Sequence, residues 1–321
     1  MITLRARHEH DDPRIVAILN TCFPGLHMTM ERYRYELAHS THLPKGYVER
    51  HVAEAHGTIA GVMSLERHSW LSRPGSYFAD IAVDPPFRGH GIGSRLHELL
   101  ETRARAIGAD RVYGEFFENV EEARRFVQAR GYAPTGRVDR MSRLPVARAT
   151  LAGYEDLEER LAAADIRVRS IAELGLDDEF LRQVQLMEHE TARDLPSAEE
   201  QGEPSPFETW REDKLFSPGR TPEMFFVAIH GDQPVGLARL HQRSTKVLNN
   251  GYTGVDRAHR GRGVARLLKL KTIQWAQRQG CEWIYTGNDV ENERMLAINI
   301  RLGYEPLPGL VLVVMELRPH V

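Results

Sequence analysis

One stretch of this chain occurs twice. The segment starting at Asp80, DIAVDPPFRGHGIG, and the segment starting at Tyr252, YTGVDRAHRGRGVA, share the pattern V-D-x-x-x-R-G-x-G at an offset of 172 residues. The offset holds without a gap for about fifty residues: it pairs Leu96 with Leu268, Gly108 with Gly280, Tyr113 with Tyr285, Gly131-Tyr132 with Gly303-Tyr304 and Pro134 with Pro306. A register kept through glycines and aromatics marks a duplication, so the chain must fold as two copies of one unit. Its 321 residues suit two domains at roughly 100–200 residues each. The expected division is 1–150 for the N-terminal copy, 151–165 for a linking helix and 166–321 for the C-terminal copy, with the boundary near Thr150.

Each copy reads as strand, Gly-rich turn, helix, strand, helix, strand. SYFADIAV is rich in strand formers, and after the turn Ile92, Leu96, Leu99, Leu100, Ala104 and Ile107 recur at helical spacing, which gives one apolar stripe. Gly108 follows as a stop. RVYGEFF is the next strand, and a helix from Glu121 to Arg130 ends at Gly131. The second copy repeats this with NNGYTGV, a helix from Val264 to Arg278, EWIYTGN, a helix from Glu293 to Leu302, and LVLVVMEL as its last strand. Upstream, each copy holds a hairpin, with turns predicted at His56-Gly57 and Gly231-Asp232.

The turns carry the chemistry. Arg88-Gly89-His90-Gly91-Ile92-Gly93 and Arg260-Gly261-Arg262-Gly263-Val264-Ala265 each open an amphipathic helix. The first amides of a helix lack intrahelical partners and sit at the positive end of its dipole, which favours an anion. Glycine lets the main chain approach a phosphate closely. Neither turn ends in Gly-Lys-Ser/Thr, which excludes a Walker A loop, and neither has the G-x-G-x-x-G spacing of a dinucleotide fold.

What remains is R/Q-x-x-G-x-G/A. On these residues the chain resembles the GCN5-related N-acetyltransferase (GNAT) superfamily in its tandem, two-domain form, over nearly its whole length. The resemblance implies an α/β (α+β) class with two consecutive GNAT folds, each a mixed, largely antiparallel central sheet flanked by helices. It implies acetyl-CoA as co-substrate and no metal. Backbone amides from Arg88 through Gly89, His90, Gly91, Ile92 and Gly93 to Ser94 would hold the coenzyme A diphosphate. So would those from Arg260 through Gly261, Arg262, Gly263, Val264 and Ala265 to Arg266. Val83 and Val255 would pair with the pantetheine arm like an added strand. Asn292 would hydrogen-bond the cofactor or, alternatively, cap the last helix; the first copy has Val120 at that position.

Acyl transfer to an amine needs a neutral amine, a donor for the oxyanion and a proton for the leaving thiolate. The tyrosine the family commonly supplies four residues before the final glycine is Val127 in one copy and Asn299 in the other. That leaves another donor, a water, or direct departure as thiolate, which is tolerable because thiols ionise at about 8.5. Candidate catalytic residues are Asp80 as base, Glu115 sharing that task, and Tyr252, aligned with Asp80, as an acid. The acids Glu188, Glu190, Asp194 and Glu199 would line the approach of a cationic amine, or form a solvated face.

The expected activity is transfer of an acetyl group to a primary amine of a small molecule by direct attack, with cofactor bound in both copies and chemistry in at least one. A non-catalytic acyl-CoA sensor or scaffold and a protein lysine or N-terminal acetyltransferase are the alternatives. A net charge of −3 argues against nucleic acid as a partner. Cys22 and Cys281 form no cluster, so free, packed thiols are expected and a metal site is not. MITLRARHEHDDPR has no apolar core of a signal, and no apolar run approaches the ~20 residues of a membrane span, so a cytoplasmic monomer or homodimer is expected.

Overall fold

The computed structural model describes residues 1–317 except 24, 26, 41–46, 68–70, 72 and 196–203. The chain runs β1 (Ile2–Ala6), α1 (Asp12–Cys22), α2 (Met30–Ser40), β2 (Val48–Ala55), β3 (Thr58–Glu66), β4 (Ser76–Val83), α3 (Ile92–Ala106), β5 (Arg111–Phe117), α4 (Glu121–Gln128) and β6 (Ala133–Pro145). It continues with α5 (Tyr154–Ala163), β7 (Ile166–Ser170), α6 (Ile171–Leu174), α7 (Asp178–Ala192), α8 (Phe207–Arg211), β8 (Phe225–His230), β9 (Gln233–Ser244) and β10 (Val247–Val255). It ends with α9 (Val264–Arg278), β11 (Trp283–Asp289), α10 (Glu293–Leu302), β12 (Glu305–Pro306) and β13 (Leu310–Glu316).

Packing separates two compact units, Met1–Val138 with Pro308–Val321, and Asp139–Leu307. In the first, the strands lie in the order β1-β2-β3-β4-β5-β13. All neighbours are antiparallel except the parallel pair β4/β5. In the second the order is β7-β8-β9-β10-β11-β6, again antiparallel except for the parallel pair β10/β11. Each unit is thus a mixed, largely antiparallel sheet flanked by helices, and the architecture occurs twice.

Division by sequence order at Thr150 and division by packing differ at one strand in each unit. The last strand of the chain pairs with β5 in the first unit, Leu310 opposite Phe117 through Glu316 opposite Arg111. Residues Asp139–Pro145 of β6 pair with β11 in the second. The side chains of β13 suit its place. Val311, Val313 and Met315 join one apolar cluster, while Leu312 and Val314 pack against Leu71, Phe78 and Tyr113 on the opposite face. A strand apolar on both faces belongs inside a sheet covered on both sides.

The α3 stripe buries Ile92, Leu96, Leu100 and Ala104 against Ala60, Met63, Leu65, Ala79 and Val112. At roughly 2 kcal/mol for each large apolar side chain removed from water, this is enough to fix the helix on the sheet. A β-carbon on Gly61 would lie 3.1 Å from both Ile92 and Leu96, so β3 needs glycine where the helix crosses it. In the second unit Gly236 meets Leu268 of α9 in the same way, at 3.2 Å. Opposite α3, the first sheet is covered by Ile15, Ile18 and Tyr33 of α1 and α2. In the second unit Leu181 and Val184 of α7, with Trp210 and Leu215, take that place.

Candidate active site

Each unit aims one helix N-terminus at the open end of a parted strand pair. The β4/β5 ladder ends at Phe78 opposite Tyr113, and the β10/β11 ladder ends at Asn249 opposite Tyr285. Beyond those residues the two parallel strands pair no further with each other, leaving a wedge between them. In the second unit its vertex is closed by Thr286, whose hydroxyl donates to the Asn250 carbonyl at 3.1 Å.

The turn that follows is built alike in both. After Val83, a 3-10 turn over Pro85–Phe87 delivers Arg88, whose guanidinium folds back onto the Val83 carbonyl at 3.0 Å. After Val255, the turn Arg257–His259 is capped by the Asp256 carboxylate, and Arg260 donates to the Val255 carbonyl at 2.9 Å. Gly89 and Gly91 hold φ of 78° and 79°, and Gly261 and Gly263 hold 76° and 98°, a backbone that side chains with a β-carbon rarely adopt. Gly91 and Gly263 are the N-caps of α3 and α9, with no side chain capping them.

The two cradles differ in what surrounds them. A β-carbon on Gly89, Gly91 or Gly261 would meet nothing within 4 Å, so those positions face open space. On Gly263 it would lie 2.8 Å from Leu157 Cδ1 and 3.4 Å from Arg160 Nη2, both on α5. The same helix start is tied down by Arg266, which donates to the Ala152 carbonyl at 2.7 Å. In the first cradle a β-carbon on Gly93 would lie 3.0 Å from Phe126 of α4, and Ser94 accepts from Arg130 at 2.6 Å. His90 and Arg262 are exposed; Ile92, Val264 and Asp84 are buried. Asn292 caps α10, its side-chain oxygen accepting from the Met295 amide at 3.3 Å.

Opposite the helix face lie the candidate catalytic residues. Asp80 shares its face of β4 with Phe78 and Ala82 and stands across from Ser64 of β3. It is half-buried, and its carboxyl is pushed up to about 7, by burial first and by the charge of Glu66 second, with Arg50 pulling the other way. Glu66 is itself held by Arg50 at 2.8 Å, and the Arg50 guanidinium lies over the Tyr33 ring at 4.6 Å. Asp80 and Glu115 are each two residues past the last pair of the ladder, one on either parted strand and on the same face.

Tyr252 occupies the matching place in the second unit, across from Arg239. Its hydroxyl is 2.9 Å from the Thr191 hydroxyl of α7, and burial raises its pKa to about 12. Arg239 lies over the Tyr252 ring at 5.6 Å and binds Glu188 at 2.6 Å, which also accepts from the Trp210 indole at 2.8 Å. The predicted acids therefore do not form an open acidic approach. Glu188 meets Arg239, Glu190 meets Arg193, and Asp194 binds both Arg257 and Arg260. Glu199 lies outside the described residues.

Three features escaped the sequence reading. Arg50 and Glu66, whose charges act on Asp80 beside the larger effect of its burial, lie on other strands. Gly251 is an extra residue between Asn250 and Tyr252, each of which pairs with β9. Lys269 was the legible one: a charge in the run Leu267-Leu268-Lys269-Leu270, at helical spacing from the buried Thr272 and Ala276. Lys269 is 1 % exposed, and burial alone lowers its pKa to about 7.

A helix-capping glycine cradle at the mouth of a parted parallel pair, made twice, is the architecture of a tandem acyl-CoA-dependent acetyltransferase. The family model "Acetyltransferase (GNAT) family" matches residues 13–132 and 184–304, and the chain belongs to that family. It is 28% identical over 246 residues to a mycothiol acetyltransferase of Thermobifida fusca (strain YX), covering 71% of each chain. It is 27% identical over 212 residues to a mycothiol acetyltransferase of Mycobacterium avium (strain 104), covering 63% of this chain and 60% of that one. Among solved structures, the tandem GNAT protein from the clavulanic acid biosynthesis pathway matches with a TM-score of 0.72, 18% identity and 100% coverage of both chains. A GCN5-related N-acetyltransferase from Sphaerobacter thermophilus matches with a TM-score of 0.70 and 20% identity, covering 100% of this chain and 97% of that one. Among the described residues no helix is long and apolar enough to cross a membrane.

Proposed function

We propose that the chain is an N-acetyltransferase that moves the acetyl group of acetyl-CoA to a primary amine of a small molecule by direct attack. The observation that carries this reading is Asp80: a carboxyl raised to about 7 beside the parted strands at which a glycine cradle opens. A base whose proton affinity matches the medium is the efficient one. The names of the two curated relatives also point to a small-molecule acceptor.

On this reading the amides of 88–94 and 260–266 bind the coenzyme A diphosphate, Val83 and Val255 border the pantetheine arm, and Asn292 adds a contact in the second copy. Asp80 takes a proton from the acceptor ammonium, with Glu115 on the other lip of the wedge sharing the task. The freed amine nitrogen attacks the thioester carbonyl carbon; the C–S bond then breaks, sulfur leaves with the electron pair, and the nitrogen releases its second proton to solvent, leaving the acetyl group in a neutral amide. In the second copy Tyr252, polarised by Thr191, supplies the proton to the departing sulfur. Cofactor binds in both copies and chemistry occurs in at least one. The repeat unit is 1–150 and 166–321, joined by 151–165, with the last strand of each copy exchanged.

The test is steady-state release of CoA thiol over a panel of small amines, with the wild type beside Asp80→Asn. The reading expects turnover in the wild type and a loss of about a hundredfold in the variant, the usual worth of a positioned base. Calorimetric binding of acetyl-CoA with no thiol release for any amine would replace it with a non-catalytic acyl-CoA sensor.

A further inference from the structure

The vertex of the second wedge is polar in a way the first is not. Lys269 reaches down from α9 to Asn250 Oδ1 at 3.3 Å and lies 5.0 Å over the Tyr304 ring. Asn250 also takes a bond from Thr253 at 3.0 Å, and Asn299 of α10 donates to Asn288 of β11 at 2.7 Å. In the first copy the residues 172 earlier than Lys269, Asn250, Asn288 and Asn299 are His97, Phe78, Phe116 and Val127. The extra residue Gly251 makes this possible. It shifts the β10 register between Asn250 and Tyr252, so that Asn250 turns to the α9 side while Tyr252 keeps the α7 side.

This cluster is costly as it stands. Asn250 is 4%, Asn299 2% and Tyr304 5% exposed, yet Asn250 Nδ2, Asn299 Oδ1 and the Tyr304 hydroxyl have no hydrogen-bond partner. Lys269 has three donors to place and one acceptor, and nothing but burial acts on its charge. A buried cation without a counter-charge and unpaired buried donors are each strongly unfavourable. Lys269 meets both Asn250 and Tyr304, so a group rich in acceptors would complete the donors of these three side chains; Asn299 Oδ1, an acceptor, is not among them.

We propose that this vertex receives the far end of the acyl group in the second copy and selects an acyl chain ending in a carboxylate, with Lys269 as its counter-ion. The inference rests on the acyl-CoA reading given above. With the diphosphate at 260–266 and the arm running back along β10 from Val255, the reactive end points toward the vertex, where Asn250, Lys269 and Tyr304 converge. A terminal carboxylate would accept from Lys269 Nζ, Asn250 Nδ2 and the Tyr304 hydroxyl, the donors left without work.

The experiment is calorimetric binding to the full chain carrying Gly91→Glu, which fills the first cradle, with acetyl-CoA, butyryl-CoA and succinyl-CoA as probes. Butyryl and succinyl chains have the same length, so their ratio reads the carboxylate alone. The expected result is succinyl-CoA binding at least about tenfold tighter than butyryl-CoA, the worth of one charge-assisted hydrogen bond, with the ratio falling to about one in Lys269→Met. Equal binding of the two, or a ratio that Lys269→Met leaves unchanged, overturns the proposal. Absence of binding by all three thioesters overturns the acyl-CoA reading of this copy along with it, whereas normal acetyl-CoA binding without discrimination overturns this proposal only. The ratio measured with Lys269 in place is informative by itself, so the test survives a failure of Lys269→Met to fold.

Discussion

A β-carbon placed on Gly263 would stand 2.8 Å from Leu157 Cδ1, whereas one placed on the equivalent Gly91 would meet nothing within 4 Å. Both glycines hold a left-handed φ, so alanine strains the backbone of either by roughly 1–2 kcal/mol. Only at Gly263 does it also collide with a buried side chain, adding about 1–3 kcal/mol of overpacking. Chemical denaturation should therefore find Gly263→Ala the more destabilising by at least about 1 kcal/mol. Equal losses would mean that α5 yields at no cost.

The raised carboxyl of Asp80 makes a prediction about rate. Its base form appears as pH rises through about 7, so kcat/KM should climb through that pH and level off above it. Asp80→Asn should remove that limb of the profile. An unchanged limb in the variant would assign the base elsewhere.

The same group makes a separate prediction about stability. Its folded pKa lies above the unfolded ~3.9, so the folded state holds the proton longer. Its contribution to stability is full below about 4 and is lost as pH rises toward about 7. The stability advantage of Asp80→Asn over the wild type should therefore grow across that window and stay constant above it. Denaturant midpoints taken every half pH unit would read it, and an advantage independent of pH would sink it.

Lys269 has the opposite sign. Its folded pKa of about 7 lies below the unfolded ~10.4, so the unfolded chain binds the extra proton between those values, and wild-type stability rises with pH there. Lys269→Met fits the same volume without the charge. It should melt higher than the wild type at pH 7, with the gap closing toward pH 10. A variant that melts lower at pH 7 would mean that the ammonium is satisfied by groups within the fold.

Arg239 and Glu188 form a pair in which each side chain is about one-seventh exposed or less, under the Trp210 indole. Removing one partner leaves the other charge buried, so Arg239→Met should cost about 3 kcal/mol. The double variant Arg239→Met with Glu188→Gln should recover part of that loss, since no charge then remains unpaired. A double variant as damaged as the sum of the singles would show that packing, not charge, is what the pair provides.

Much of this molecule was legible one segment at a time. The hairpin turns fell at His56-Gly57 and Gly231-Asp232, β4 and β5 took the residues of SYFADIAV and RVYGEFF, and α9 ran from Val264 to Arg278 as its spacing predicted. Glycines at helix starts and stops, and apolar residues at helical or strand spacing, act within a few residues of themselves, so they can be read without knowing what lies across the fold.

The sequence by itself determined the duplication, the elements of each copy and the two glycine cradles. The tertiary structure alone decided that β13 joins β5, that Leu157 closes on Gly263, that Gly251 turns Asn250 toward Lys269, and that burial, with the charge of Glu66, raises the proton affinity of Asp80. Each of those outcomes depends on which distant segments share an interior. Strand pairing, desolvation and the field of a neighbouring charge act through space, and the linear order of residues does not state those distances.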